Sequence, residues 1–121
     1  MELSSLNKTW ILDVDGTIVK HNGYKIDGQD TILDGVKEFF ETLSPNDKVI
    51  LLTARKGEYL ENLKKILLEN NIRYDYILTD MPMGERILVN DRKPSGLNMA
   101  FAINKKRDEK FEINYFINGD L

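Results

Sequence analysis

The residues with the most chemical promise are Asp13-Val14-Asp15-Gly16-Thr17. In an extended chain, residues two apart point to the same side, so Asp13 and Asp15 share one small site. Two like charges there repel. The repulsion is relieved by a bound cation, or by keeping one carboxyl protonated. Both arrangements suit phosphoryl transfer. A hard cation such as Mg²⁺ prefers carboxylate and carbonyl oxygens. A carboxylate can attack phosphorus to form an aspartyl-phosphate. A protonated neighbour can donate to the leaving oxygen and then accept a proton from water. Gly16 lets the chain turn sharply and present backbone N–H groups to a phosphate. The alternative is that the two aspartates only cap a turn after a strand. Against it, Asp91 ends a second apolar run and Thr53 ends a third. Independent turn capping does not require acids and hydroxyls at equivalent ends of separate runs.

The elements that must position these residues alternate along the chain. Trp10-Ile11-Leu12 reads as a short buried strand, and Val49-Ile50-Leu51-Leu52 as a strand covered on both faces. Tyr76-Ile77-Leu78, Ile87-Leu88-Val89 and Met99 to Ile103 read as further short strands, and Phe111, Ile113, Tyr115 and Ile117 as an edge strand. Ile32, Leu33, Val36, Phe39, Phe40 and Leu43 mark one helix face, with Asp30 or Thr31 as N-cap and Ser44-Pro45-Asn46-Asp47 as its end. Leu60, Leu63, Ile66 and Leu67 mark a second helix closing near Asn70-Asn71. Residues 20–30 form a loop or small hairpin; His21 and Tyr24 lie in a flap over the site or in a plain surface hairpin. The mixed-sign run Lys105 to Lys110 reads as a solvated loop. Strands alternating with helices imply an α/β fold built from right-handed β-α-β units, with a mainly parallel sheet. Asp13, Asp15, Thr53, Asn90 and Asp91 would then fall at C-terminal strand ends, where ligands bind near the reversal of strand order.

Composition narrows the chemistry. The 121 residues fit one domain, 1–121, with 41% apolar and 31% charged residues. A net charge of −3 argues against a general nucleic-acid binder, and the expectation is no nucleic-acid partner. There is no cysteine and a single histidine, His21, which leaves no thiolate or histidine-rich metal site. No apolar run approaches the roughly 20 residues that span a bilayer, and the first ten residues lack a signal-peptide pattern. A cytoplasmic protein with no membrane partner is expected. The work falls to carboxylates, hydroxyls, amides, Lys and Arg.

The sequence resembles the haloacid dehalogenase superfamily of Mg²⁺-dependent phosphatases. The first motif is matched by Ile11-Leu12-Asp13-Val14-Asp15-Gly16-Thr17, the second by Ile50-Leu51-Leu52-Thr53, and the fourth by Leu88-Val89-Asn90-Asp91, with order and spacing agreeing across residues 9–95. The resemblance implies a three-layer Rossmann-like domain and hydrolysis of a phosphomonoester through an aspartyl-phosphate. It makes Asp13 the nucleophile and a metal ligand, and Asp15 the general acid/base with its carbonyl on the metal. Thr53 and the backbone N–H of Ala54 would bind the phosphoryl group. Asp91 would hold Mg²⁺, with Asn90 as a weaker ligand or water-orienting group. The third motif departs from the family: Thr79 to Arg86 contains no Lys. Arg86 is the closest substitute and Lys93 the second choice; Arg86 could equally be a solvated charge. Arg55 would bind substrate at the rim, or be an ordinary surface arginine.

About fourteen residues separate Thr17 from the first helix, too few for a cap domain. This implies a capless form with an open site, acting on a large phosphorylated molecule or borrowing a lid in a homo-oligomer. Short length and the Asn90-Asp91-Arg92-Lys93-Pro94 run are similar to small bacterial phosphatases of capsule and surface-polysaccharide synthesis. Those relatives imply a phosphorylated small molecule, sugar or glycan as partner. Two other readings remain open. One is a catalytically weak or silent domain that binds a phosphorylated partner or metal. The other is a phospho-acceptor receiver, which the placement of Asp15 for rapid hydrolysis argues against.

Overall fold

The computed structural model describes residues 1–121. In chain order its elements are β1 (Glu2–Leu3), β2 (Thr9–Asp13), α1 (Gly23–Ile26), α2 (Val36–Thr42), β3 (Lys48–Leu52), α3 (Leu60–Glu69), β4 (Tyr76–Leu78) and β5 (Phe116–Ile117). A single 3₁₀ turn, Gly57–Tyr59, leads into α3. The central sheet is parallel, in the order β2-β3-β4. A second, two-stranded parallel sheet pairs β1 with β5.

Local pattern explains the central elements. Leu12 in β2 and Val49 and Leu51 in β3 point inward, as period-two alternation requires. In α3, Leu63 and Leu67 lie four apart and are both fully buried, each worth about 1.5–3 kcal/mol of burial. Helix α2 contributes Val36, Phe39 and Phe40 to the same core cluster. Asp47 fastens the start of the sheet: one carboxylate oxygen accepts from Lys8 N at 2.8 Å and the other from Trp10 Nε1 at 3.0 Å.

Strand order has a consequence for the layers. Right-handed crossovers between strands in sequential order deliver successive helices to the same face. One cluster accordingly joins α2, α3 and the inward residues of β2 and β3. The opposite face, with the rows Ile11–Ile50–Tyr76 and Asp13–Leu52–Leu78, leaves Ile11, Tyr76 and Leu78 exposed. The β3 run is therefore covered on one face, contrary to the expectation of two. Nor does this sheet contain a reversal of strand order.

Helix α2 starts four residues later than the first periodic residue, Ile32. Ile32 instead bridges to Val19, and Leu33 N donates to Ile18 O, so residues 18–20 and 31–33 form a small hairpin around the 20–31 segment. Gly35 precedes the helix with φ +87°, and a Cβ there would strike the Phe111 backbone carbonyl. Only glycine fits that approach.

Residues 81–110 behave differently. None of them is buried, and Ile87 and Val89 are 85% and 90% exposed. The expected strands at Ile87–Val89 and Met99–Ile103 are not formed. The chain returns to the core at Phe111, whose ring sits 4.8 Å from that of Phe39 and whose N–H donates to Asp34 O. It then reaches β5, so of the edge strand expected over Phe111, Ile113, Tyr115 and Ile117 only the end is formed, Phe116–Ile117 on β1, while Phe111, Ile113 and Tyr115 pack on the core without strand pairing. No helix is long and apolar enough to cross a membrane.

Candidate functional site

Val14 is fully buried between Asp13 and Asp15, which forces the two aspartates away from the core. Their side chains are 39% and 18% exposed. The turn beyond them is closed by Gly16 N to Val19 O at 2.7 Å and by Thr17 and Ile18 N–H groups on Val14 O. Gly16 has φ +86°, and a Cβ there would meet the Arg107 side chain at 3.0 Å.

Each aspartate is held by its own pair of donors. Asp13 accepts from Thr17 Oγ1 at 2.9 Å on one oxygen and from Arg86 Nη1 at 2.9 Å on the other. Asp15 accepts from Arg55 Nη2 at 2.6 Å and from Thr53 Oγ1 at 3.2 Å. Thr53 is buried at the end of β3, and its hydroxyl also accepts from Arg55 N at 2.9 Å. Ala54 next to it is exposed, and its backbone N–H makes no hydrogen bond within the chain, which leaves it free for an anion.

Arg55 does not lie on the rim. It is 4% exposed, and its terminal nitrogens face inward to Asp15, Asp30 and Tyr59 O. Burial by itself would loosen the guanidinium proton. The hydrogen bonds that it donates to Asp30 and Asp15, with the charges of both, outweigh burial and hold the group above its ordinary range. Arg55 is thus a permanent buried cation, and its outward substrate-binding role is corrected to an inward one.

The Asn90 and Asp91 ligands expected from the fourth motif do not join the site. Asn90 and Asp91 are exposed, and Asn90 Nδ2 bonds to Asp91 O. No group of three or more Asp, Glu, His or Cys residues that could hold a metal is formed. The physical reason is the unpaired 87–89 segment, which has no sheet neighbour to fix its end. The donor set at the turn is therefore Asp13 and Asp15. The exposed Asp13 carboxylate and the Asp15 backbone carbonyl, which accepts no hydrogen bond within the chain, still fit Mg²⁺, which commonly takes one or two carboxylates from the protein and completes its octahedron with other oxygens, water and phosphate among them. Lys93 is exposed, with its backbone N–H on Leu97 O and no contact with the aspartates.

The run beyond residue 104 is not simply solvated. Asp108 N donates to Gly16 O at 2.9 Å, Asp108 Oδ1 accepts from His21 N at 2.7 Å, and Lys105 Nζ lies 3.4 Å from Gly16 O. Lys105 and Arg107 therefore border the aspartate turn. This placement, the Thr17 contact and buried Asp30 were missed by local spacing. Only Thr17 carried a signal, its place in the first motif.

These features define a parallel α/β domain with a carboxylate pair at the C-terminal edge of its sheet. No protein-family model matches the chain. No curated protein matches it either. Among solved structures it is similar to a chain of the Pnkp1/Rnl/Hen1 complex, with 30% identity and a TM-score of 0.53 over 69% of this chain. The match spans only 31% of that protein's length. Two expectations are corrected by this result. Membership of the haloacid dehalogenase superfamily, with its capless capsule-synthesis branch, is not supported by any family match and gives way to the Pnkp1/Rnl/Hen1 likeness. The exclusion of nucleic acid is withdrawn on the same likeness. Its physical flaw is that net charge averages a whole surface, whereas a strand meets the local field, here bordered by Lys105, Arg107 and Arg86.

Proposed function

We propose that the chain is a Mg²⁺-dependent phosphomonoesterase working through an aspartyl-phosphate on Asp13, with the phosphate at the end of a nucleic-acid strand as substrate class. The single observation that carries the reading is the Asp13/Asp15 pair at a C-terminal strand end, with Arg86 on Asp13 and Thr53 on Asp15. A strand-end substrate is supported by the basic border of Lys105, Arg107 and Arg86 and by the likeness to a chain of the Pnkp1/Rnl/Hen1 complex.

In this reading an Asp13 oxygen attacks phosphorus and the P–O ester bond breaks. Asp15 gives a proton to the leaving oxygen, then takes one from the water that cleaves the acyl phosphate. Arg86 moves from the Asp13 carboxylate to the phosphoryl oxygens, and the Ala54 N–H donates to one of them. Mg²⁺ would be held by the Asp13 carboxylate and the Asp15 backbone carbonyl and would offset the crowded negative charge, which leaves the Asp15 carboxyl for proton exchange. The test is phosphate release by the full chain, with and without Mg²⁺, from p-nitrophenyl phosphate, a 3′-phosphorylated oligonucleotide and a sugar phosphate. Release from the oligonucleotide that Asp13→Asn abolishes is the expected result. No release from any of the three overturns catalysis.

A second reading, binding without turnover, is favoured by one observation. Both Asp13 oxygens are already occupied, by Thr17 and Arg86, so the nucleophile must shed a partner before it attacks. Retention of the phosphorylated oligonucleotide without cleavage would mark this case.

A further inference from the structure

Asp30 reads in the sequence only as a candidate helix N-cap, yet its carboxylate is fully buried. It grips Arg55 in the two-toothed geometry that suits a guanidinium fork: Nη1 to Oδ2 and Nη2 to Oδ1, both at 2.9 Å. Nη2 extends the same plane to Asp15 Oδ1 at 2.6 Å. The plane is covered by the Tyr24 ring, 3.9 Å from the guanidinium carbon, and Tyr24 packs on Tyr59 at 5.5 Å. Tyr59 also supplies a carbonyl to Nη1 at 3.2 Å. Arg55 therefore has one orientation, and Asp30 rather than Asp15 sets most of it. Asp30 offers two contacts where Asp15 offers one, and it has no water to compete with.

We propose that Asp30 is a positioning residue: it locks the Arg55 fork, and the fork in turn fixes the carboxylate of Asp15 where protons are exchanged. This rests on the phosphatase reading for its catalytic consequence, though not for its structural one. A lysine in place of Arg55 could not serve, because a single ammonium has no fixed fork with which to span two carboxylates. The 20–31 segment thus contributes to the site from beneath, through Asp30 and Tyr24.

The structural arm uses ¹⁵N NMR of the Arg55 terminal nitrogens in the full chain. Held on both sides, they give two separate resonances. Asp15→Asn should leave them separate, since Asp30 still grips; merging in that variant overturns the proposal even if Asp30→Asn fails to fold. Asp30→Asn, where it folds, should merge them. The kinetic arm measures p-nitrophenyl phosphate turnover. Asp30→Asn should lower kcat about 10²-fold, the cost of misplacing a group by about 1 Å, with KM changed less than twofold. Leu63→Ala, a purely structural lesion, should leave kcat of the folded protein unchanged. An Asp30→Asn enzyme with kcat intact, or with its loss in KM alone, overturns the role. If the wild-type chain releases no phosphate, the function reading fails while the NMR result still decides the positioning claim.

Discussion

Residues 9–80 and residues 81–110 have comparable apolar runs but opposite fates. In the first region Val49 and Leu51 vanish into the core; in the second Ile87 and Val89 stand in solvent. Hydrophobicity alone does not separate them. What separates them is pairing: the β3 run has β2 on one side and β4 on the other, in parallel register over Thr9–Asp13 and Tyr76–Leu78. The 87–89 run has no strand neighbour. A strand is stabilised by its neighbours and by a covering layer, and an apolar triplet with neither gains nothing from being extended.

Mutations sharpen this contrast, in descending size. Leu63→Ala removes a fully buried side chain and should cost about 2–5 kcal/mol in urea unfolding. A cost below 1 kcal/mol would mean that the α3 face is not core. Gly35→Ala forces a left-handed backbone and a Cβ onto the Phe111 carbonyl. It should cost about 1–3 kcal/mol and speed proteolytic cleavage around residues 105–110, because Phe111 anchors one end of that stretch, beside the Asp108 contacts with Gly16 and His21.

Arg86→Ala should weaken inhibition by inorganic phosphate about tenfold, or about 1.4 kcal/mol, while Lys93→Ala changes it little. Arg86 is the member of the outer region that touches Asp13; the reverse ranking would move the contact to Lys93. Asp75 gives a pH-gated effect. A hydrogen bond from Val49 N, with the charges of Lys48 and Arg73, holds its carboxyl below the usual aspartate range despite some desolvation. Its stabilisation is therefore present above about pH 3.9, the unfolded value, and is lost as pH falls through the lower folded value. Asp75→Asn should flatten the acid limb of the unfolding curve and leave the remainder of its shape near neutrality. Val89→Ser should shift stability by less than about 0.5 kcal/mol; a larger loss would show that this side chain has a covering partner.

The same contrast explains what the sequence revealed. Strands β2, β3 and β4 and helix α3 follow from short apolar runs and from Leu63 and Leu67 at helical spacing, signals confined to a few residues. The Asp13/Asp15 pair was equally local, one buried valine between two acids. Asp30 was not: it reads as an N-cap, yet its carboxylate is taken by a guanidinium 25 residues away, and α2 begins only at Val36, after Gly35. Arg55 looked like a rim residue because nothing local announces a buried acid beside it. The bare sheet face follows from strand order, a property of the assembled sheet that no window of sequence contains.

The pairing of Glu2–Leu3 with Phe116–Ile117 acts as a clasp. Closing a long flexible loop costs entropy that grows only with the logarithm of its length, about 0.6 kcal/mol for each doubling. Because the stretch inside the clasp already includes thirty unburied residues, 81–110, extra chain spliced between Pro94 and Met99 should scarcely loosen it. That makes this stretch the natural place to graft a reporter or an additional binding segment without disturbing the carboxylate turn.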